Sequence, residues 1–389
     1  MPIALGLAIA LFAADARAIT IPTVPVGNAG NAGDPQVLPN LTTGYGAVSY
    51  NYRIGTTEVT VGQYTAFLNA VAVTDTYKLY DTQMTNSIIA GIGRSGFDGS
   101  YVYSVIGSAN KPVTFVSWGD AARFSNWLQN GQPVGAQNAS TTEDGAYTLN
   151  GASTAEELVA VSRNAAATWF IPSENEWYKA AYHEPASQGG DADDYWAYPT
   201  RTNSEPYSDQ PPGSDAPTQS NTANFFANDW LNNGYNDGYA VTASLDVTFP
   251  QNYLTDAGAY ASAMSPYGTL DQGGNVWEWT ENPLSSNNVI RQIRGGSWDS
   301  YAHTMRSTDH TYASAASEGR ATIGFRVATV PEPSTCVMAA MGIVALLFAR
   351  RRTQPCPEPC EQNRASGAAR RSFVFQATAA SFTSAALPS

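Results

Sequence analysis

The sequence predicts an irregular, loop-rich α+β fold. Three helix starts of one type recur along the chain, and the strand-like pieces between them are short. The long stretch 187–265 is dense in Asn, Asp, Gly, Pro, Ser and Tyr and has little periodicity. The first helix signal is "TVGQYTAFLNAV", with Thr60 three residues before Gln63 and Val61, Tyr64, Leu68 and Val71 on one face. The second, "SWGDAARFSNWL", pairs Ser117 with Asp120 and lines up Trp118, Ala121, Ala122 and Leu128. The third, "SENEWYKAAYH", pairs Ser173 with Glu176 ahead of Trp177, Ala180 and Ala181. In each, two side chains three apart can satisfy the N–H groups that a first helical turn leaves free. "KPVTFV", "ATWFIP", "IRQIRGG" and "IGFRVA" read as strands. A segment as long as 187–265 needs something to tie it down inside a compact domain. No repeat has a solenoid period.

Composition narrows the function. Only 14% of the 389 residues are charged, a low share. The net charge is −13, and residues 45–329 hold 13 basic against 28 acidic residues, 13 − 28 = −15. Such a surface repels a phosphate backbone, which excludes nucleic-acid binding. It suits calcium, or simply solubility. The three cysteines, Cys336, Cys356 and Cys360, all lie beyond residue 335. The body before them therefore has no disulfide, thiolate metal site or cysteine nucleophile.

Both ends read as addresses. "MPIALGLAIALFAADARA" has an apolar run and an Ala-Arg-Ala cleavage pattern, so 1–18 is expected to be a signal peptide. Residues 19–44, rich in Gly, Asn, Pro and Thr, read as a linker or edge segment, and 45–329 as the domain. At the other end, Pro331-Glu332-Pro333 precedes the apolar run 335–349 and Arg350, Arg351 and Arg352. That run is shorter than the roughly 20 residues of a full span, and makes a short membrane anchor with its basic triplet on the cytoplasmic side. In this order the features resemble the PEP-CTERM sorting signal, here 330–352. The resemblance implies processing by a membrane protease, exosortase, during export to the bacterial envelope, with transient membrane anchoring. Residues 353–389, rich in Ala, Ser and Arg, are expected to be a disordered tail.

"TTEVTVGQYTAFLN", "PVTFVSWGDAARFSNWL", "WFIPSENEWYKAAY", "GGNVWEWTEN", "RGGSW" and "IGFRVA" follow one another in the body. In that order they resemble the formylglycine-generating enzymes, also called sulfatase-modifying factors. The resemblance implies a variant of the C-type lectin-like fold, with loops held by two calcium ions. One ion would take the Asn224 side chain, the Phe225 carbonyl, Asp237 and the Tyr239 carbonyl. The other would take Asp271, the Gly274 and Val276 carbonyls and Glu278. Calcium prefers such mixtures of hard oxygens.

In the family's catalytic members, two cysteines after the Gly-Gly-Ser turn bind Cu(I), which uses O₂ to convert a substrate cysteine to formylglycine. Here those positions are Ser300 and Met305. A soft ion wants sulfur pairs, so copper is not expected. Ser297, Trp298, Ser300 and Met305 then mark a vestigial pocket with no confident catalytic residue. Ser300, His303, Asp309 and His310 allow a Ser-His-Asp arrangement, with a solvated polar loop as the plainer expectation. His183, at the end of the third helix, is placed to meet the helix dipole. Aromatics along 195–239 either stack on a glycan or a peptide or serve as packing. The resulting expectation is an exported, calcium-stabilised, non-catalytic binding module for an unknown glycan or protein. The alternative is a formylglycine-generating-type oxidase, or another enzyme acting on an envelope protein. A structural envelope protein is the third possibility.

Overall fold

Capping chemistry sets the helices. The computed structural model describes residues 18–37, 42–284 and 289–330. Nearly all of the signal peptide, the sorting signal beyond Val330, the 335–349 anchor, the three cysteines and the tail lie outside the described residues. All three expected capping boxes form. The side chains of Thr60, Ser117 and Ser173 accept from the N–H three residues on, and Gln63, Asp120 and Glu176 accept from the cap backbone. A fourth box, Thr154 with Glu157, heads a six-residue helix that the sequence reading did not find.

In chain order the elements are β1 (Thr23–Val26), β2 (Tyr52–Gly55), α1 (Val61–Val71), α2 (Gln83–Asn86), β3 (Ile92–Ser95), β4 (Val102–Val105), α3 (Trp118–Gln129), α4 (Ala155–Ala160), β5 (Trp169–Phe170) and α5 (Glu174–Tyr182). There follow β6 (Tyr207–Ser208), β7 (Thr222–Ala223), β8 (Phe226–Asn228), β9 (Asp237–Tyr239), β10 (Trp277–Pro283), β11 (Ile290–Arg294), β12 (Ala313–Ala315), β13 (Ile323–Gly324) and β14 (Ala328–Thr329). Two four-stranded sheets, ordered β1-β2-β14-β5 and β12-β11-β10-β13, carry the frame, with two-stranded pairs β3-β4, β6-β7 and β8-β9 outside them. This is the irregular α+β architecture that the sequence predicts. Within 19–44, Thr23–Val26 forms β1, antiparallel to β2 at the edge of a sheet.

Two strand expectations are corrected. "KPVTFV" forms only an isolated bridge between Thr60 and Pro112, because Phe115 at φ 59 breaks the extended run. "IGFRVA" splits into β13 and β14, and Phe325, Arg326 and Val327 cross from one sheet to the other. The long 187–265 stretch is held by buried aromatics, among them Tyr198, Phe225, Tyr253 and Tyr260. Tyr260 donates to the Asp209 carbonyl at 2.7 Å, and the Asn224 amide to the Tyr253 carbonyl at 2.9 Å.

The core joins α1 to α3 through rings. Phe124 lies 5.3 Å from Phe67 and 5.4 Å from Phe325, both edge-on, and Tyr64 stacks on it at 6.0 Å. Edge-on and offset ring pairs are the favourable ones. Within this apolar setting the most deeply buried ion pair is Arg326 with Glu278. The fully buried Arg326 guanidinium donates through Nε and Nη2 to the Glu278 carboxylate on β10. It also donates to the carbonyls of Gly55, Thr56 and Leu270. Five hydrogen bonds thus tie the end of β2, the loop before β10 and β10 itself to one side chain.

Removing one partner of a buried pair strands the other charge, at a cost of about 3–5 kcal/mol. Arg326→Ala is expected to lower unfolding free energy by that amount in a urea titration. A midpoint equal to wild type contradicts the assignment.

Candidate functional site

β11 ends at Arg294 and runs into Gly295-Gly296, at φ 99 and 75. A Cβ on Gly296 would come within 2.3 Å of Thr304 Oγ1, so the turn requires glycine. The turn delivers Ser297 and Trp298 as buried residues. Ser297 Oγ donates to Asp299 Oδ1 at 2.7 Å and lies 2.8 Å from Ser300 Oγ. Trp298 stacks on Tyr253 at 5.2 Å. Ser300 is anchored through its carbonyl, which accepts from Phe226 N–H at 2.9 Å. A short 3₁₀ turn, Ala302–Met305, follows. Met305 is fully buried in a small cluster with Tyr198, Ala223, Phe225 and Ala302. The two positions where the resemblance places copper ligands therefore hold a hydroxyl engaged with another serine and a thioether packed in the interior.

No catalytic triad forms from the neighbouring polar residues. Ser300 pairs with Ser297, His303 stacks on Tyr301 at 6.3 Å, and His310 Nδ1 lies 3.4 Å from its neighbour Thr308's carbonyl.

Beside Ser300 opens a cavity of about 680 Å³, within the range of ordinary ligand sites. Phe226, Asn228, Trp230, Leu245, Tyr301 and His303 are among its lining residues. Trp230 is 82% exposed, Tyr301 58% and Leu245 47%, so the rim is unusually apolar for a free surface. The aromatics along 195–239 thus divide. Tyr195 and Tyr198 are packing, whereas Trp230 faces outward. Leu245 and Tyr301 were missed by the sequence reading, since nothing local marks an exposed apolar residue as rim.

The two expected calcium sets meet at one point. Asn275 N–H donates to the Asn224 carbonyl at 2.7 Å, and a Cβ on Gly274 would strike that carbonyl at 2.4 Å. The two ligand sets therefore abut at Asn224 and Gly274. In the first set, the Phe225 carbonyl accepts the Ser208 hydroxyl at 2.6 Å. Asp237 accepts from Gly234 N–H at 2.8 Å, and the Tyr239 carbonyl accepts from Thr242 and Ala243. In the second set, Glu278 is engaged by Arg326 and by the Trp177 indole at 2.7 Å. Asp271 accepts from Gly258 N–H. Burial, and then repulsion from Glu278, pushes the Asp271 carboxyl up to about 6. Glu58, unremarked in the sequence, is buried nearby with Oε2 unpartnered. Burial, Asp271 and Glu278 raise its carboxyl well above the usual range. Among the described residues, no group of three or more His, Cys, Asp or Glu is arranged to hold a metal ion.

Comparison with known proteins adds two family matches. Residues 39–330 match the sulfatase-modifying factor enzyme 1-like domain, and 329–352 match the PEP-CTERM protein-sorting motif. No curated protein matches the chain. Similar solved structures include Treponema denticola variable protein 1, at 17% identity over 81% of this chain and 97% of that one, with a TM-score of 0.44. CarF matches at 18% identity over 80% and 99%, TM-score 0.44. PvdO from Pseudomonas aeruginosa matches at 17% identity over 80% and 92%, TM-score 0.40.

His183 departs from its expected role. It caps α5, yet burial and then the Lys179 charge lower its pKa to about 4, so it is neutral and gives the dipole no cation. Its Nδ1 lies 2.8 Å from the Tyr267 hydroxyl. Between pH 6.5 and 4 the unfolded chain takes up a proton that the folded one refuses, so this group costs stability as pH falls through that window. The melting temperature of wild type is expected to drop more between pH 7 and 4.5 than that of His183→Gln. Equal drops contradict the account.

Proposed function

The chain belongs to the sulfatase-modifying factor enzyme 1-like family and carries a PEP-CTERM signal for export to the cell envelope and recognition by exosortase, and on that footing we propose that it is a non-catalytic binding module. The observation that carries this reading is the pairing of Ser300 with Ser297 and the burial of Met305, beside a cavity that keeps an open aromatic rim. A serine hydroxyl and a packed thioether do not supply the sulfur pair that Cu(I) requires. Trp230, Tyr301 and Leu245 remain as anchors for an apolar side chain of an extended protein segment. Membrane attachment through 335–349 before processing belongs to the same reading.

Calcium fits one of the two expected places better than the other. Around Asp271, three buried carboxylates (Glu58, Asp271 and Glu278) face a single guanidinium, Arg326, and Glu58 Oε2 has no partner. A hard cation placed there would draw the raised carboxyls of Glu58 and Asp271 into their charged form, because it offsets the burial and mutual repulsion that now hold them up. Asp271, the Gly274 and Val276 carbonyls and Glu278 would hold it, Glu278 being shared with Arg326. The Asn224, Phe225, Asp237 and Tyr239 set has most of its oxygens committed to internal donors. The ion would supply a pin between the loops before β8 and β10.

Two measurements test the reading. Treated with Cu(I), O₂ and a cysteine-containing peptide, the protein is expected to yield no aldehyde by mass spectrometry. It is expected instead to enrich apolar segments from a peptide library, with about tenfold weaker retention by Trp230→Ala. Aldehyde formation, or retention indifferent to Trp230, overturns it. Separately, EDTA is expected to lower the melting temperature and open 187–280 to protease. An unchanged melting curve, with no calcium by elemental analysis, removes the ion from the account.

A further inference from the structure

A second cavity, of about 530 Å³, shares no lining residue with the groove beside Ser300. It lies over the first turn of α3 and is closed by the loops around Tyr77 and Ser153. Asp120 and Arg123, three apart on α3, both line it and are both more than nine-tenths buried. Each leaves one polar atom free. Asp120 Oδ2 accepts from Ser117 N–H at 2.8 Å and from its hydroxyl at 2.7 Å, while Oδ1 makes no hydrogen bond among the described residues. Arg123 donates through Nε to Glu143 Oε1 at 2.7 Å, and through Nη2 to Glu143 Oε2 at 3.0 Å and the Ala152 carbonyl at 2.8 Å. Its Nη1 makes no hydrogen bond among the described residues, and the guanidinium lies 4.3 Å over the Tyr77 ring.

The electrostatics select the ligand. Glu143 already balances the Arg123 charge bidentately, so Nη1 is a hydrogen-bond donor and not a trap for an anion. Lys78 on the rim opposes an incoming ammonium, and Asp81 opposes a carboxylate or phosphate. Ser153 and Ser317 complete a wall that offers donors and acceptors at once, whereas the Ser117 hydroxyl is spent on the Asp120 cap. A neutral ligand whose every group both donates and accepts satisfies such a wall. The geometry points to a sugar site, in which adjacent hydroxyls of a neutral monosaccharide unit bridge Asp120 Oδ1 and Arg123 Nη1.

Burial supports this assignment. It raises the Asp120 carboxyl to about 6 despite two hydrogen bonds from Ser117, so the free oxygen gains from a donor brought by a ligand. The capping box explains why an acid stands at this position, but not why its second oxygen is left bare beside an unspent guanidinium nitrogen.

Saturation-transfer NMR and calorimetry on the purified full-length protein test the site. The probes are free neutral hexoses and N-acetylhexosamines, with glycine and inorganic phosphate as charged comparators. At least one sugar is expected to bind. Asp120→Asn keeps an oxygen for the Ser117 cap and is expected to weaken that sugar about tenfold, the loss of one charge-assisted hydrogen bond. Ser153→Trp, at an exposed position, is expected to block the cavity and abolish binding with an unchanged melting temperature. Failure of every sugar overturns the proposal. So does binding indifferent to both variants, or binding of glycine or phosphate instead.

Discussion

The buried pair of Arg326 and Glu278 is the constraint that the rest of the structure depends on. The protein has few regular elements, and its two main sheets are small. A short segment, Phe325 to Val327, carries the chain from one sheet to the other, and Arg326 is its middle residue. A guanidinium there cannot be replaced by an apolar side chain of equal size without stranding three backbone carbonyls as well as a carboxylate. Buried pairs are often neutral against a hydrophobic substitute. This one differs because it also satisfies the loop that enters β10.

That loop is where the frame meets the candidate sites. Leu270, whose carbonyl Arg326 holds, is followed by Asp271 and then by the turn through Gly274 that packs on Asn224. The same region approaches Gly295, whose N-terminal neighbour Arg294 donates to the carbonyls of Asp309 and Ser307. Buried arginines thus recur as organisers of irregular backbone: Arg291, set 3.5 Å over the Trp118 ring, likewise donates to carbonyls at the end of α4. A loop-rich protein with few sheet ladders needs carbonyl partners from somewhere, and five-donor side chains supply them. The aromatic rim beside Ser300 follows the glycine turn after Arg294, and the polar cavity lies over the first turn of α3, where Arg291 sits over the Trp118 ring.

Legibility in the sequence follows how local each signal is. Capping boxes at Thr60, Ser117 and Ser173 need only residues three apart, and all three were readable. The box at Thr154 heads a helix too short to show an apolar period. Phe115 could not be read as left-handed, because a β-rich composition says nothing of one reversed φ. The juxtaposition of Asn224 with Gly274 and Asn275 was not foreseen, because the family resemblance places Asn224 and Gly274 in two separate ligand sets. Glu58 carried no signal at all, since its carboxylate accepts from Asn275, 217 residues away. For the same reason the open atoms of Asp120 and Arg123 were invisible, and the sequence showed Asp120 only as a cap. His183 looked available to the helix dipole until burial was known.

Following the proposal, the region after the glycine doublet is expected to take no soft metal, and the loop at Asp271 to take a hard one. Element-specific anomalous scattering from crystals grown with both Cu(I) and calcium addresses both halves directly. The account predicts a calcium peak beside Asp271 and no copper peak between Ser300 and Met305. A copper peak at that position, at full occupancy, would contradict it.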